Sequence, residues 1–319
     1  MRSATATAVA LALLAGPGQA QPKLIRLSIV TGGTGGVYYP LGGGVAAVLS
    51  KVLPGVEATA EVTSASVDNV KLVGAGKADI AFTLADTAAD GFNGAGKFKE
   101  KVPIRSLAVL YANKSQWVTV QGTGIESMRE LKGRRIATGA PGSGTEIIAL
   151  RILEAYGLDP DKDVKREKLS VAESVNALKD RKIDAFFWSG GIPTAAVTDL
   201  AATPGMTIKL LDHGDAVPAL VKKWGPLYVK GVIKAGSYPG QARDVEVADV
   251  WNVLVANEKM DEKLAHDVVK TLFERKADLV AVHQEAANLS LAAQANGGSP
   301  IPFHPGALRY FAEQGIKLR

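Results

Sequence analysis

The chain contains no cysteine. Disulfides, thiolate metal sites and lipid attachment at an export cleavage site are therefore excluded, and stability has to come from a packed core. Histidine is almost as scarce. His213, His266, His283 and His304 lie in separate segments without metal-ligand spacing, and none stands beside a glycine turn, so they read as surface or structural residues. No apolar run approaches the roughly 20 residues that cross a bilayer. Near the start, Arg2, the short apolar run Ala8 to Ala15, Gly16, Pro17 and the small Ala20 have the form of a signal peptide. Residues 1–20 are expected to be removed near Ala20, giving an exported protein that is not inserted in a membrane. Basic residues are scattered rather than clustered and the formal charge is only +5, so nucleic acid is not an expected partner. Several catalytic signatures are missing too: no glycine turn is followed by Gly-Lys-Ser/Thr, no Gly-x-Ser-x-Gly elbow occurs, and the acidic residue of a dinucleotide site is absent at its spacing. No cofactor or metal is expected, and the chain does not read as an enzyme.

What is present is a repeated element. Leu24 to Val30 reads as a strand, Thr31 Gly32 Gly33 Thr34 Gly35 Gly36 as a tight turn, and the segment through Tyr38 and Tyr39 to about Leu53 as an apolar-periodic helix. The same order returns from Arg135 to Thr138, through Gly139 Ala140 Pro141 Gly142 Ser143 Gly144 Thr145, into a helix from Glu146 to about Tyr156. Strand-turn-helix units of this kind leave the first N–H groups of the helix unpaired beyond the strand end, where the helix dipole also favours negative charge. Each repeat continues into a second strand, a polar turn, a helix, a Lys-x-Asp and a further strand: Lys77 Ala78 Asp79 before Ile80 to Leu84, and Lys182 Ile183 Asp184 before Ala185 to Trp188. Two lobes of alternating strand and helix, each with a mainly parallel sheet, are expected. The outward crossing is placed near Ala112 to Ser115, between the strands Ile104 to Tyr111 and Gln116 to Gln121, and the return crossing at Leu227 to Lys234. Lobe I is then 21–113 plus 228–319 and lobe II is 114–227. Lys276 to Leu291 reads as one helix carrying His283.

Ligands of open parallel sheets bind beyond the carboxyl ends of the strands. The candidate binding residues are accordingly Gly33, Thr34, Gly35 and Gly36 from the first turn and Gly142, Ser143, Gly144 and Thr145 from the second. Ser64, Ser66 and Asn69 add hydroxyl and amide groups at the same level, although each also reads as a cap or turn former. Tyr38, Tyr39 and Trp188 are candidate aromatic walls, or packing residues, and Gly190 follows the last strand. Asp86 either faces the cleft or caps the helix after its strand. With no arginine or lysine in these turns, a small organic anion would be held by backbone N–H groups, hydroxyls and helix ends. A secreted serine hydrolase using Ser143 is a remote alternative.

The runs Thr31 to Gly42 (TGGTGGVYYPLG), Gly139 to Thr145 (GAPGSGT), Ile183 to Phe187 (IDAFF), Tyr238 to Gln241 (YPGQ) and Ile301 to Ala307 (IPFHPGA) resemble the TAXI family of solute-binding proteins. The resemblance covers essentially the whole mature chain. It implies a two-lobed type II periplasmic binding protein fold with a hinge and an interlobe cleft. It further implies a monomeric periplasmic receptor that delivers its ligand to the membrane subunits of a TRAP (tripartite ATP-independent periplasmic) transporter. Acidic amino acids such as glutamate, and dicarboxylates such as 2-oxoglutarate, are the ligands implied. Many members resemble Val-Gln-Ser-Asp after the second strand of lobe I, where this chain has Thr83 Leu84 Ala85 Asp86. Two hydrogen-bonding side chains are thus replaced by apolar ones, which leaves a ligand without an ammonium group equally open. A periplasmic sensor feeding a signalling kinase is the alternative role.

Overall fold

The computed structural model describes residues 24–295 and 299–318, so the expected signal peptide lies outside the described residues. Among the described residues no helix is long and apolar enough to cross a membrane. The architecture is α/β. In chain order the strands are β1 (Ile25–Val30), β2 (Val56–Glu61), β3 (Ile80–Leu84), β4 (Ile104–Val120), β5 (Arg135–Ala137), β6 (Lys165–Glu167), β7 (Ala185–Gly190), β8 (Ile208–Leu211), β9 (Tyr228–Ile233) and β10 (Val245–Asn257). The helices that matter for the site are α1 (Tyr38–Val52), α2 (Ser66–Gly74), α3 (Ala85–Asn93), α4 (Gly144–Ala155), α5 (Val171–Lys179) and α6 (Ala195–Ala201).

The repeat is real in three dimensions. β1 pairs in parallel with β2 and β3, and β5 pairs in parallel with β6 and β7. The two expected sheets are nevertheless continuous, in the order β2-β1-β3-β10-β4-β7-β5-β6. The physical reason is the length of two strands. The expected break at Ala112 to Ser115 does not occur, because β4 runs unbroken for 17 residues, pairing with β10 along its first part and with β7 and β8 along its last. Polar Asn113, Lys114 and Ser115 interrupt the apolar alternation without interrupting the strand. The return crossing is β10 rather than the expected Leu227–Lys234: β9 pairs only with the first residues of β10, which then continues between β3 and β4. Lys276 to Leu291 is also not one helix. It is broken at His283, whose backbone is extended (φ −153°, ψ 131°), and a short 3-10 turn, Gln284–Asn288, follows.

The apolar face of the β1 repeat packs Leu27, Ile29, Leu41, Val45 and Leu49 against the helix Glu262–Glu274 and the C-terminal helix Pro305–Glu313. The latter is tied to the start of β4 where the His304 N–H donates to the Ser106 carbonyl (2.8 Å). A second cluster is continuous across both repeats, joining Val30, Val70 and Leu84 with Trp117, Ile136 and Ile148.

Where β4 and β10 lie side by side, Lys114 pairs with the buried Asp249. Burial pushes the Asp249 carboxyl up to about 6, with the Lys114 ammonium pulling the other way. Because the folded value lies above the ordinary carboxylate value, folding favours the protonated form. That contribution is fully present below the unfolded pKa and is lost as pH rises through about 6. A displacement of this size corresponds to on the order of 3 kcal/mol. Urea denaturation should therefore show native stability falling relative to Asp249→Asn between pH 4 and 7. Parallel pH profiles of the two proteins would refute the assignment.

Candidate functional site

Both glycine turns lie at the carboxyl ends of their strands and face each other across a cavity of about 350 Å³. Its wall takes in Gly33, Thr34, Gly35, Gly36, Tyr38, Ser64 and Ser66 from the first repeat. From the second it takes Ser143, Gly144, Thr145, Trp188 and Gly190. The floor comes from Tyr111 and Asn113 of the crossing strand β4 and from Ser189 of β7 beside it. Beneath it, the buried Asn252 of β10 accepts from the Tyr38 hydroxyl and donates to Asn113 Oδ1 (2.7 Å) and to the Tyr111 carbonyl (3.0 Å). Burial pushes the phenols of Tyr38 and Tyr111 up, so both stay neutral donors. The Tyr111 hydroxyl has no hydrogen-bond partner among the described residues.

Four expected site residues are not on this wall. Tyr39 is the second residue of α1 and does not line the cavity. Asn69 is buried behind the first turn, where its amide donates to the carbonyls of Thr31 (2.6 Å) and Phe82 (2.8 Å), so it braces the turn instead of meeting a ligand. Gly142 turns its carbonyl to the other half of the molecule and accepts from the N–H groups of Val67 (3.1 Å) and Asp68 (3.2 Å). Asp86 neither faces the cavity nor caps α3, whose N-cap is Leu84. Its carboxylate is fully buried and accepts from Arg151 Nη1 (3.0 Å), the Tyr228 hydroxyl (2.6 Å) and the Thr87 N–H (2.7 Å). A buried charge needs such partners.

The wall includes residues that sequence reasoning missed, notably Leu84, Ser170, Val171 and Glu173. The repeat carried the signal for the last three: α5 stands to the second turn as α2 stands to the first, and Ser64 and Ser66 were already picked out beside α2. Tyr111 and Asn113 had no such signal, because they were read as a strand end and a crossing.

Four helix N-termini converge here, and they are not equivalent. In α2 the Val67 and Asp68 N–H groups are taken by the Gly142 carbonyl. In α5 Ser170 Oγ accepts from the Glu173 N–H and the Glu173 carboxylate accepts from the Ser170 N–H, while the N–H groups of Val171 and Ala172 have no hydrogen-bond partner among the described residues. The N–H groups of Thr34, Gly35 and Val37 before α1, and of Gly144 and Thr145 at the start of α4, likewise have no hydrogen-bond partner among the described residues. Open N–H groups therefore come from both halves, from the turn before α1 in the first and from the starts of α4 and α5 in the second. The wall holds no arginine, lysine or histidine among the described residues, and its only carboxylate is Glu173, which is occupied by the capping box. Chemically this is a neutral, partly apolar chamber with oriented N–H donors at both sides, suited to an anionic group.

The halves touch directly around the chamber. The Ala196 N–H of α6 donates to the Gly35 carbonyl (3.3 Å). At the rim, Glu285 Oε1 accepts from the Ile192 N–H (2.7 Å) and Gln284 Nε2 donates to the Ile192 carbonyl (2.8 Å). Two glycines make this approach possible. A Cβ on Gly144 would sit 2.6 Å from Leu84 Cδ1 and 2.8 Å from Ser66 Oγ, and one on Gly35 would sit 3.3 Å from the Cβ atoms of Ala172 and Ala196.

A family model, that of the NMT1-like family, matches residues 29–315. Three solved structures share the fold. MatC from Rhodopseudomonas palustris with bound malate is 13% identical, with 92% of this chain and 97% of that chain covered and a TM-score of 0.57. A putative L-cystine ABC transporter protein from Listeria monocytogenes is 16% identical over 84% of this chain and 98% of that one, with a TM-score of 0.52. A putative periplasmic sulfonate-binding protein, SsuA, from Methylobacillus flagellatus KT is 16% identical over 92% and 95%, with a TM-score of 0.50. At these identities the likeness concerns the fold.

The contact at Gly144 yields a test that needs no ligand. In Gly144→Val the added methyl groups collide with Leu84 and Ser66, so the second turn withdraws and the Gly142 carbonyl leaves α2. Hydrogen exchange at the Val67 and Asp68 amides should accelerate at least tenfold while the amides of β4 stay as protected as in the native protein. Unchanged protection at those two amides in the folded variant would contradict this reading.

Proposed function

The chain belongs to the NMT1-like family, and from its chamber we propose that it is an exported solute-binding receptor. It captures a small organic anion between two lobes and delivers it to the membrane subunits of a transporter. The observation that carries this is that unpaired N–H groups at helix starts of both repeats meet across one chamber. We take β4 and β10 as the hinge, with the outward boundary near 113/114 as read from the sequence and the return boundary of lobe II moved from 227 into β10. Closure about the hinge brings N–H groups of both halves onto one ligand. The TAXI-like motifs favour a TRAP system, with the protein acting as a periplasmic monomer.

The ligand class follows from Asp86. This was the one carboxylate positioned by sequence to receive an ammonium group, and it is spent on Arg151 and Tyr228. We therefore favour a dicarboxylate or keto acid such as 2-oxoglutarate over glutamate. The fold accommodates such a ligand, since MatC holds malate. Ser143 does not support the hydrolase alternative. Its hydroxyl donates to the Ala140 carbonyl (2.7 Å) and accepts from the Glu146 N–H (3.1 Å), as an N-cap does.

Calorimetry with 2-oxoglutarate, succinate and glutamate tests the reading. Wild type should bind a dicarboxylate without an ammonium group more tightly than glutamate, and Gly35→Val and Gly144→Val should each weaken that binding more than tenfold, or more than ~1.4 kcal/mol. A silent substitution at either glycine in a folded protein would overturn the two-sided site, and tightest binding of glutamate would overturn the ligand class. Co-purification with a multi-span transporter subunit, rather than with a histidine kinase, separates transport from sensing.

A further inference from the structure

The helix that brings Gly144 and Thr145 to the chamber carries Arg151 further along. Seven residues make close to two helical turns, so Arg151 leaves α4 on the same side as Gly144, toward the first repeat. There its guanidinium donates through Nη1 to Asp86 (3.0 Å) and to the Tyr228 hydroxyl (2.8 Å), and through Nη2 to Asp90 (2.6 Å). Its central carbon lies 5.3 Å from the ring of Trp224. Asp86 and Asp90 belong to α3, which begins immediately after the chamber residue Leu84. One buried guanidinium thus joins the two chain segments that run on from opposite walls of the chamber.

Such a cluster is a poor source of stability, because taking three charges from water offsets most of their attraction. What it supplies is direction: a planar, two-pronged donor accepts few geometries. We propose that Arg151 is a positioning residue, whose grip on Asp86 and Asp90 holds α4 against α3 and so keeps the open N–H groups of Gly144 and Thr145 facing the first glycine turn. This deepens the receptor reading and rests on it for its effect on binding, while the geometric part stands without any ligand.

The absence of cysteine allows clean double labelling. Spin labels at Lys77→Cys and Asp180→Cys, both exposed and beyond the far ends of α2 and α5, report the separation of the two halves by electron–electron resonance. With native Arg151 the distance distribution should be narrow. Arg151→Lys, which keeps the charge but loses the second prong, should broaden it. The triple variant Asp86→Asn, Asp90→Asn, Arg151→Met, which leaves no unpaired buried charge, should move it further, to longer distances. A native distribution in either variant, with a native cooperative melt, overturns the proposal; should the triple variant not fold, Arg151→Lys decides. In a second arm, stopped-flow with 2-oxoglutarate should show at least tenfold faster dissociation in the triple variant and an association rate within a few-fold of native. A purely structural role would lower the melting temperature and leave both the distance distribution and the dissociation rate unchanged. If native protein binds no 2-oxoglutarate, the ligand assignment fails while the label distances still decide the role of Arg151.

Discussion

The antiparallel pairing of β4 with β10 is the constraint on which the rest of the structure depends. Each strand is long enough to serve both repeats, so neither half owns its own closed sheet and the two cannot separate as independent bodies. The same pair supplies the floor of the chamber. Tyr111, Asn113 and Asn252 stand where the strands pass between the halves, and their side chains and carbonyls form one polar network reaching Tyr38 of α1. Buried polar groups of this kind hold a single arrangement only when each finds a partner. The Tyr111 hydroxyl has no partner among the described residues, and Tyr111 lines the chamber.

A second economy governs the helix N-termini. All four that reach the chamber have the same intrinsic affinity for negative charge. The fold satisfies the Val67 and Asp68 N–H groups of α2 with a carbonyl from the opposite half, and leaves the first N–H groups of α4 and α5 and those before α1 unpaired among the described residues. Contact between halves and ligand recognition thus draw on one physical feature, unpaired N–H groups at a helix start, divided between the two purposes. It also explains why small residues gather at the turns: any side chain on Gly144 would occupy the space through which the halves meet.

Much of this was legible in the sequence because it is written locally. Glycine runs, alternation and helical periodicity mark the repeated strand-turn-helix unit, and twelve of the sixteen expected site residues line the chamber. What was not legible depends on distant pairing. Asn113, Lys114 and Ser115 look like a break until β10 and β7 are known to lie beside them. Asp86 looks like a cap or a ligand group until Arg151, 65 residues away, is found against it. Asn69 was placed at the correct level but on the wrong side of the turn, since its sequence neighbourhood does not say which carbonyls it reaches.

The central claim is that both halves contribute unpaired helix-start N–H groups to the same bound anion. Amide NMR during titration with 2-oxoglutarate tests it most directly. The account predicts that the amide resonances of Thr34 and Gly35 and those of Gly144 and Thr145 shift together with one dissociation constant, while the already bonded Val67 and Asp68 amides stay nearly still. Saturable shifts confined to one of the two turns would contradict it.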